Sequence, residues 1–199
     1  MVDWICEIGE DLKFSSDTIH VTVQYMDTIL PKIEVPKSKL QLICLTCFII
    51  AAKFTEMEIK VPSLKEVHEF CRGTYSFDLI KKSEVLILEL LEWNLKTITP
   101  YQFTQFFLSK GCAFSSDESV VREIDFKLLK YLRKYAEFFV DLSLQEYEFS
   151  EYQSHILGCA AIAGARKAVG LYPLWNEELV ELTQTSWDDI EICFKSLYA

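Results

Sequence analysis

Two related stretches, Phe48-Ile-Ile-Ala-Ala-Lys53 and Ala161-Ile-Ala-Gly-Ala-Arg166, decide how this chain folds. They lie 113 positions apart, and each places small residues before a basic one. A segment that recurs at such a distance indicates two copies of one structural unit. Each stretch belongs to a longer segment that is apolar on nearly every side and rich in small residues. That composition is typical of a helix enclosed by other helices.

The regions around these two segments show helical periodicity. Apolar residues recur at intervals of three and four, as on one face of an α-helix, whereas the alternating pattern of strands is scarce. All five prolines fall between the periodic segments, where they interrupt no helix. The sequence therefore predicts an all-α fold of two tandem domains, 1–98 and 99–199, each with five helices around a central helix rich in small residues.

Capping residues and prolines suggest where the helices begin and end. Ser38 is placed to cap the helix that ends near Phe54, and Ser63 with Glu66 has the spacing of a capping box. In the first half the pattern predicts helices before residue 15 and over 16–30, 38–54, 63–71 and 78–95. In the second half it predicts helices over 100–110, about 118–142, 150–169, 177–182 and 187–198.

Composition and charge exclude several classes of protein. Half of the 199 residues are hydrophobic and 14% are aromatic, which is too apolar for a disordered chain. The net charge of −10 would repel a phosphate backbone unless basic residues were gathered on one face. The one basic group, residues 127–134, shares a helical pattern with Glu123, Asp125, Glu137 and Asp141 and indicates a solvated mixed face. We therefore expect no nucleic-acid partner.

The cysteines and the apolar runs bear on the cellular compartment. The first 15 residues contain no apolar signal segment, and seven cysteines without dense spacing suit the reduced thiols of an intracellular protein. The longest apolar run, 42–52, is shorter than the ~20 residues that a membrane span needs. We expect a buried helix there and no membrane partner.

Motifs of catalysis and metal binding are absent from the sequence. No phosphate-binding loop, dinucleotide fingerprint, nucleophile elbow, zinc-protease motif or kinase signature occurs. Cys44 and Cys47 form a C-x-x-C, but they lie inside an apolar helix without a second pair, so packing explains them better than a metal. His20, His68 and His155 are isolated. We expect a protein without enzymatic activity, metal or cofactor.

Two charged residues stand out because each lies on an otherwise apolar stripe. Lys53 continues the stripe of the 38–54 helix, and Glu84 interrupts that of the 78–95 helix. A lone buried ion costs several kcal/mol, whereas opposite charges on adjacent helices offset much of that cost. Lys53 and Glu84 should therefore lie near each other. Three interpretations of these charges are possible: a purely structural ion pair, a lysine that reaches water, and a binding role. Asp27 raises the same question, but the sequence shows no obvious partner for it.

The order of several motifs resembles the two-domain cyclins. The first half has Val2-Asp-Trp-Ile-Cys-Glu-Ile-Gly-Glu10, Tyr25-Met-Asp27, Lys39-Leu-Gln-Leu42 and Ala51-Ala-Lys-Phe54. The second half has Thr99-Pro-Tyr-Gln-Phe103 and Asp141-Leu-Ser-Leu144. Within the family, Lys53-Phe-Thr-Glu-Met-Glu58, Trp93-Asn-Leu95 and Ser143-Leu-Gln-Glu-Tyr147 are most similar to the J-type cyclins.

The resemblance implies a regulatory subunit that binds and activates a cyclin-dependent kinase in the nucleus and/or cytoplasm. Cyclins place a lysine and a glutamate at the positions of Lys53 and Glu84, against the αC helix of the kinase. By the same resemblance, the apolar residues Phe54, Ile80 and Leu88 would flank this contact. A cyclin-fold adaptor that holds proteins without activating a kinase is the alternative.

A second cyclin surface binds Arg-x-Leu segments of substrates or inhibitors. The resemblance assigns it to Met1, Trp4, Glu7, Leu40 and Gln41, with apolar side chains for the leucine and a carboxylate for the basic residue. The alternative for the tryptophan is simple packing in the core.

The sequence also departs from the family pattern. Cyclins carry an arginine before Val-Asp-Trp, and it pairs with an aspartate at the position of Asp27. Here the chain begins inside that motif, so we expect Asp27 to lack this partner. Thr55 replaces an acid that is common after Lys-Phe, and we expect the change to weaken the kinase contact.

Overall fold

Ten α-helices account for most of the residues that the computed structural model describes, 1–120 and 125–198. One unit, Met1–Thr97, contains α1 (Val2–Asp11), α2 (Ser16–Ile29), α3 (Leu40–Thr55), α4 (Leu64–Phe70) and α5 (Phe77–Leu90). The other, Ile98–Ala199, contains α6 (Pro100–Lys110), α7 (Phe126–Leu142), α8 (Ser154–Val169), α9 (Glu177–Thr183) and α10 (Trp187–Tyr198). The prediction of an all-α fold with five helices in each half is confirmed.

Helix α3 is the centre of the first unit. It packs against α1, α2 and α5, and its residues from Cys44 to Ala52 are all buried. Burial on every side explains why the helix carries no polar face. By length and composition alone the segment Lys37–Thr55 could cross a membrane, but here the other helices of the unit enclose most of its apolar residues.

Helix α8 has the same place in the second unit, where it packs against α6, α7 and α10. Its small residues allow these neighbours to come close. A Cβ atom at Gly158 would lie 3.2 Å from the carbonyl oxygen of Pro100, and one at Gly164 would lie 3.1 Å from the ring of Phe139. The glycines therefore permit the close approach of α6 and α7 to the central helix.

Local hydrogen bonds fix several helix ends. Ser63 and Glu66 form the capping box that their spacing predicts, and Thr99 with Gln102 forms a second one at α6. Ser38 does not cap α3, which corrects the prediction from sequence. Instead it lies in a short 3-10 helix, Lys37–Lys39, that leads directly into α3.

Three helix boundaries differ from those that the periodicity predicts. Glu118–Ser119 pairs antiparallel with Leu171–Tyr172 as a two-residue β-strand, and α7 begins only at Phe126, with Asp125 as its cap; residues 121–124 lie outside the described part of the chain. A 3-10 helix, Tyr147–Glu151, precedes α8. Helix α5 ends at Leu90 instead of continuing to 95. Apolar spacing continues through these turns, so it overestimates the lengths of the helices.

Candidate functional site

Lys53 and Glu84 meet on the surface of the first unit, as the apolar stripes predict. Lys53 lies in the last turn of α3, Glu84 lies in the middle of α5, and the two helices pack together. The Nζ of Lys53 donates to Oε1 of Glu84. The lysine side chain is 49% exposed and the glutamate side chain 23%. Exposed ion pairs of this kind contribute only about 0–1 kcal/mol to stability. Stabilisation of the fold is therefore a weak explanation for the presence of this pair.

The apolar residues predicted beside this pair differ in accessibility. Phe54 follows Lys53 and is 50% exposed, whereas Leu88, one turn after Glu84, is partly buried against the core. Ile80 is only 1% exposed, in a core cluster that includes Leu42. It cannot contact a partner, which corrects its prediction as a contact residue. The α5 stripe points into the core at Ile80 and reaches the surface only near Glu84.

Several exposed apolar residues of the first unit were not predicted from the sequence. Met57 is 65% exposed just beyond α3, Val85 follows Glu84, and Trp93 is 66% exposed. The backbone N–H of Trp93 donates to the carbonyl of Leu88 at 2.9 Å, in a turn where both Glu92 and Trp93 have positive φ. The sequence does contain a signal for their exposure, because each of these apolar residues lies outside the stripes that define the core.

A carboxylate network lies at the end of α3, two residues after Phe54. Glu56 Oε1 accepts hydrogen bonds from the backbone N–H of Ser15 and from the hydroxyl of Thr18, both at 2.7 Å. Burial would raise the pKa of Glu56, but these hydrogen bonds and the nearby charge of Lys60 together lower it below its usual value. The carboxylate is therefore ionised. The hydroxyl of Thr55 lies 2.8 Å both from that of Thr18 and from the carbonyl of Ala51, and it can donate its one proton to either.

The residues predicted to form the second surface lie on α1 and at the start of α3, which pack together. Met1 and Glu7 are exposed. Trp4 is partly buried and packs against two core clusters of the unit, so it has a packing role whatever else it does. At the start of α3, Leu40 and Gln41 are partly exposed, and the hydroxyl of Tyr75 lies 3.5 Å from Oε1 of Gln41.

Asp27 lies on α2 and is partly buried. Burial raises the pKa of its carboxyl above the ordinary value. Within residues 1–120 and 125–198 no hydrogen bond or ion pair reaches this side chain.

The basic residue that matches Lys53 in the second copy, Arg166, has the opposite environment. Its side chain is completely buried and forms an ion pair with Asp117, which is also completely buried. Its three nitrogens also donate to the carbonyls of Cys112, Leu174 and Pro173. The guanidinium of Arg166 therefore holds loop segments of its own unit in place.

The C-x-x-C cysteines lie in the packed interior of α3. Cys44 and Cys47 are buried as free thiols in α3. Burial raises the pKa of the Cys44 thiol to about 12, and the pKa of Cys47 is raised as well. In the described part of the chain, no group of three His, Cys, Asp or Glu side chains is placed to hold a metal ion. The exposed surface of the first unit is therefore the main candidate site.

Comparison with known families covers the whole chain. Residues 1–96 match the family model "Cyclin, N-terminal domain", and residues 98–199 match "Cyclin, C-terminal domain". Cyclin-J of Xenopus laevis is 28% identical over 98% of this chain. The alignment covers 52% of Cyclin-J, so the chain spans about half the length of this relative.

Two solved structures share the fold. The viral cyclin of herpesvirus saimiri superimposes with a TM-score of 0.77 at 15% identity, over 99% of this chain and 80% of that one. A chain of the CAK complex from Chaetomium thermophilum, solved with ATP-gamma-S bound, superimposes with a TM-score of 0.69 at 13% identity. That match covers 98% of this chain and 60% of the other. At these identities the likeness concerns the fold.

Proposed function

Because this chain belongs to the cyclin family, whose members are regulatory subunits and not themselves enzymes, we propose that it binds and activates a cyclin-dependent protein kinase. The Lys53–Glu84 pair on the surface of the first unit carries the proposal. By the resemblance to cyclins, these two residues match the lysine and the glutamate that contact the αC helix of the kinase. The nearby Phe54 is half exposed and supplies apolar area beside the charges.

The chemistry of such a surface suits a protein partner. Protein interfaces combine a desolvated apolar centre with a polar rim, and aromatic residues and methionine are enriched in them. Close to the pair in sequence, the chain exposes Phe54, Met57 and Val85. In a complex, the charges of Lys53 and Glu84 would pair with charges of the kinase and so fix its orientation.

The proposed mechanism is mechanical. A kinase is active only when the glutamate of its αC helix pairs with the lysine of its β3 strand and its activation loop is ordered. Helices α3 and α5 pack against each other and contribute residues to the same core cluster. The surface that they present is therefore rigid. Pressed against αC, this surface would hold the kinase glutamate inward. All catalytic groups would belong to the kinase.

One solved structure with this fold belongs to an assembly named the CAK complex, bound to a nucleotide analogue. This context supports a kinase partner for the present chain. The competing function is an adaptor that has the cyclin fold but does not activate a kinase. Thr55, directly after Lys53 and Phe54, replaces an acid that is common in cyclins. The loss of this acid supports the adaptor.

Activation provides the test. Mixing the purified chain with each of a panel of purified cyclin-dependent kinases is expected to raise the phosphorylation rate of a histone substrate by at least tenfold for one of them. Radiolabelled phosphate transfer measures the rate. A complex that forms without any gain in rate would contradict the proposal and favour the adaptor.

The surface that contains Glu7 and Trp4 is proposed to bind Arg-x-Leu segments of substrates or inhibitors. Glu7 is exposed and offers a carboxylate for the basic residue of the segment, and Trp4 and Leu40 are partly exposed apolar neighbours. Because Trp4 also packs in the core, its replacement would disturb folding as well as binding. Glu7 is the better position for a test.

We expect Glu7→Lys to weaken the binding of a fluorescein-labelled Arg-x-Leu peptide by about tenfold, or ~1.4 kcal/mol. The substitution replaces attraction of the peptide arginine by repulsion. Fluorescence anisotropy measures the affinity. Glu181→Lys, the same change at an exposed position on α9 of the second unit, is the matched control for net charge. Equal affinity in the wild type and Glu7→Lys would remove this assignment.

The cellular location follows from the proposed partner. A subunit of a cyclin-dependent kinase would work in the nucleus, the cytoplasm or both. The seven cysteines are free and six of them are buried, which suits a reducing compartment. Fluorescence microscopy of the tagged chain tests this location.

A further inference from the structure

Glu56 connects the end of α3 to the start of α2. It is the residue directly after the last turn of α3, and its side chain is only 6% exposed. One carboxylate oxygen accepts from the N–H of Ser15 and from the hydroxyl of Thr18, each at 2.7 Å. The other lies 3.4 Å from Nζ of Lys60. The start of α2 and the 3-10 helix that contains Lys60 therefore converge on one carboxylate.

This network holds the turn that carries Lys53 and Phe54. The last carbonyls of a helix have no partner inside it, and helix ends fray when nothing else holds them. Here the N–H of Glu56 closes the last turn on the carbonyl of Ala52 at 2.9 Å, while its side chain is fixed to α2. Loss of the carboxylate would make the backbone more mobile at the residue where the chain leaves α3.

The same carboxylate helps to order the segment that follows. Residues Glu58–Lys60 form a short 3-10 helix, and Lys60 reaches both Glu56 and the backbone carbonyl of Lys13, the latter at 3.2 Å. Met57 and Ile59, within this anchored segment, are 65% and 90% exposed. Exposed apolar side chains in a short segment keep a fixed direction only if its backbone is held at both ends.

We propose that Glu56 is a positioning residue that holds the 53–59 segment in the conformation that contacts the kinase. The inference rests on the proposed kinase-binding function. Glu56 itself faces α2 and would not touch the partner. It would act through the end of α3 and through Lys60, by reducing the number of conformations that binding must select.

Two measurements on the full chain test the proposal. Hydrogen–deuterium exchange of the amides from Phe54 to Val61 is expected to be at least tenfold faster in Glu56→Ala than in the wild type, while exchange in α4 stays unchanged. Affinity for the kinase that the wild-type chain activates is expected to fall about tenfold. Glu56→Gln keeps an oxygen that can accept from Ser15 and Thr18, and we expect it to retain affinity within threefold.

Glu66→Ala is the matched control. Glu66 is also a carboxylate that accepts from a backbone N–H and a hydroxyl, both of Ser63, but it caps α4. Its removal should leave kinase affinity unchanged. Equal loss of affinity in Glu66→Ala and Glu56→Ala, or unchanged exchange at 54–61, would overturn the inference. A wild-type chain that binds no kinase would instead refute the proposed function, and the exchange experiment would still decide whether Glu56 orders the segment.

Discussion

An Asp117→Ala variant is expected to lose about 3–5 kcal/mol of the free energy of unfolding of the second unit. The carboxylate of Asp117 accepts four hydrogen bonds, two from Arg166, one from Asn176 and one from the N–H of Phe114, at 2.6–2.9 Å. Both charged side chains are completely buried. Removal of the acid leaves the charge of Arg166 in an apolar interior without a counter-ion, and this is why the expected loss is large.

Urea denaturation followed by tryptophan fluorescence measures the effect, since Trp175 and Trp187 lie in this unit. The control is Lys195→Ala, which breaks an exposed ion pair with Glu191 on α10. Exposed pairs contribute about 0–1 kcal/mol, so the control should change stability very little. A loss below 1 kcal/mol in Asp117→Ala would mean that the buried pair does not stabilise this unit as we infer.

Lys53→Glu is expected to weaken binding of the activated kinase by about 100-fold, or ~2.7 kcal/mol. The substitution places a second carboxylate beside Glu84 and removes the cation that would enter the interface. In the free chain the pair is partly accessible to solvent, so the free energy of unfolding should change by about 1 kcal/mol at most. Isothermal titration calorimetry and thermal unfolding measure the two effects separately.

A double reversal distinguishes binding from a structural bridge. Lys53→Glu combined with Glu84→Lys restores an ion pair inside the chain but presents each charge at the wrong place for a partner. We expect stability close to that of the wild type and binding as weak as in the single variant. Lys65→Glu, at an exposed position on α4, is the control for net charge. Recovery of kinase affinity in the double reversal would show that the pair serves only the fold.

The sequence predicts the helices well because each must bury one apolar face, and that requirement is visible in residue spacing alone. Spacing does not show where a helix stops. The pattern extends the predicted helix back to about residue 118, yet Glu118 and Ser119 pair with Tyr172 and Leu171, about 50 positions later in the chain. Such pairing depends on contacts distant in sequence, which a local pattern does not contain.

The candidate site was predictable in part for the same reason. A charge on an apolar stripe signals a special environment, and this signal brings Lys53 and Glu84 together correctly. It does not show which end of a stripe reaches the surface, so Ile80 was assigned to the surface although it is buried. It also does not show the network of Glu56, because Ser15 and Thr18 belong to a different helix and its preceding turn.

The different fates of Lys53 and Arg166 limit how this protein can assemble. Two copies of one unit could in principle each offer an equivalent basic residue to a ligand. Only the first leaves that residue accessible, because the second encloses it with Asp117 and three carbonyls. Complexes formed through this residue should therefore have a one-to-one stoichiometry, despite the internal duplication of the chain.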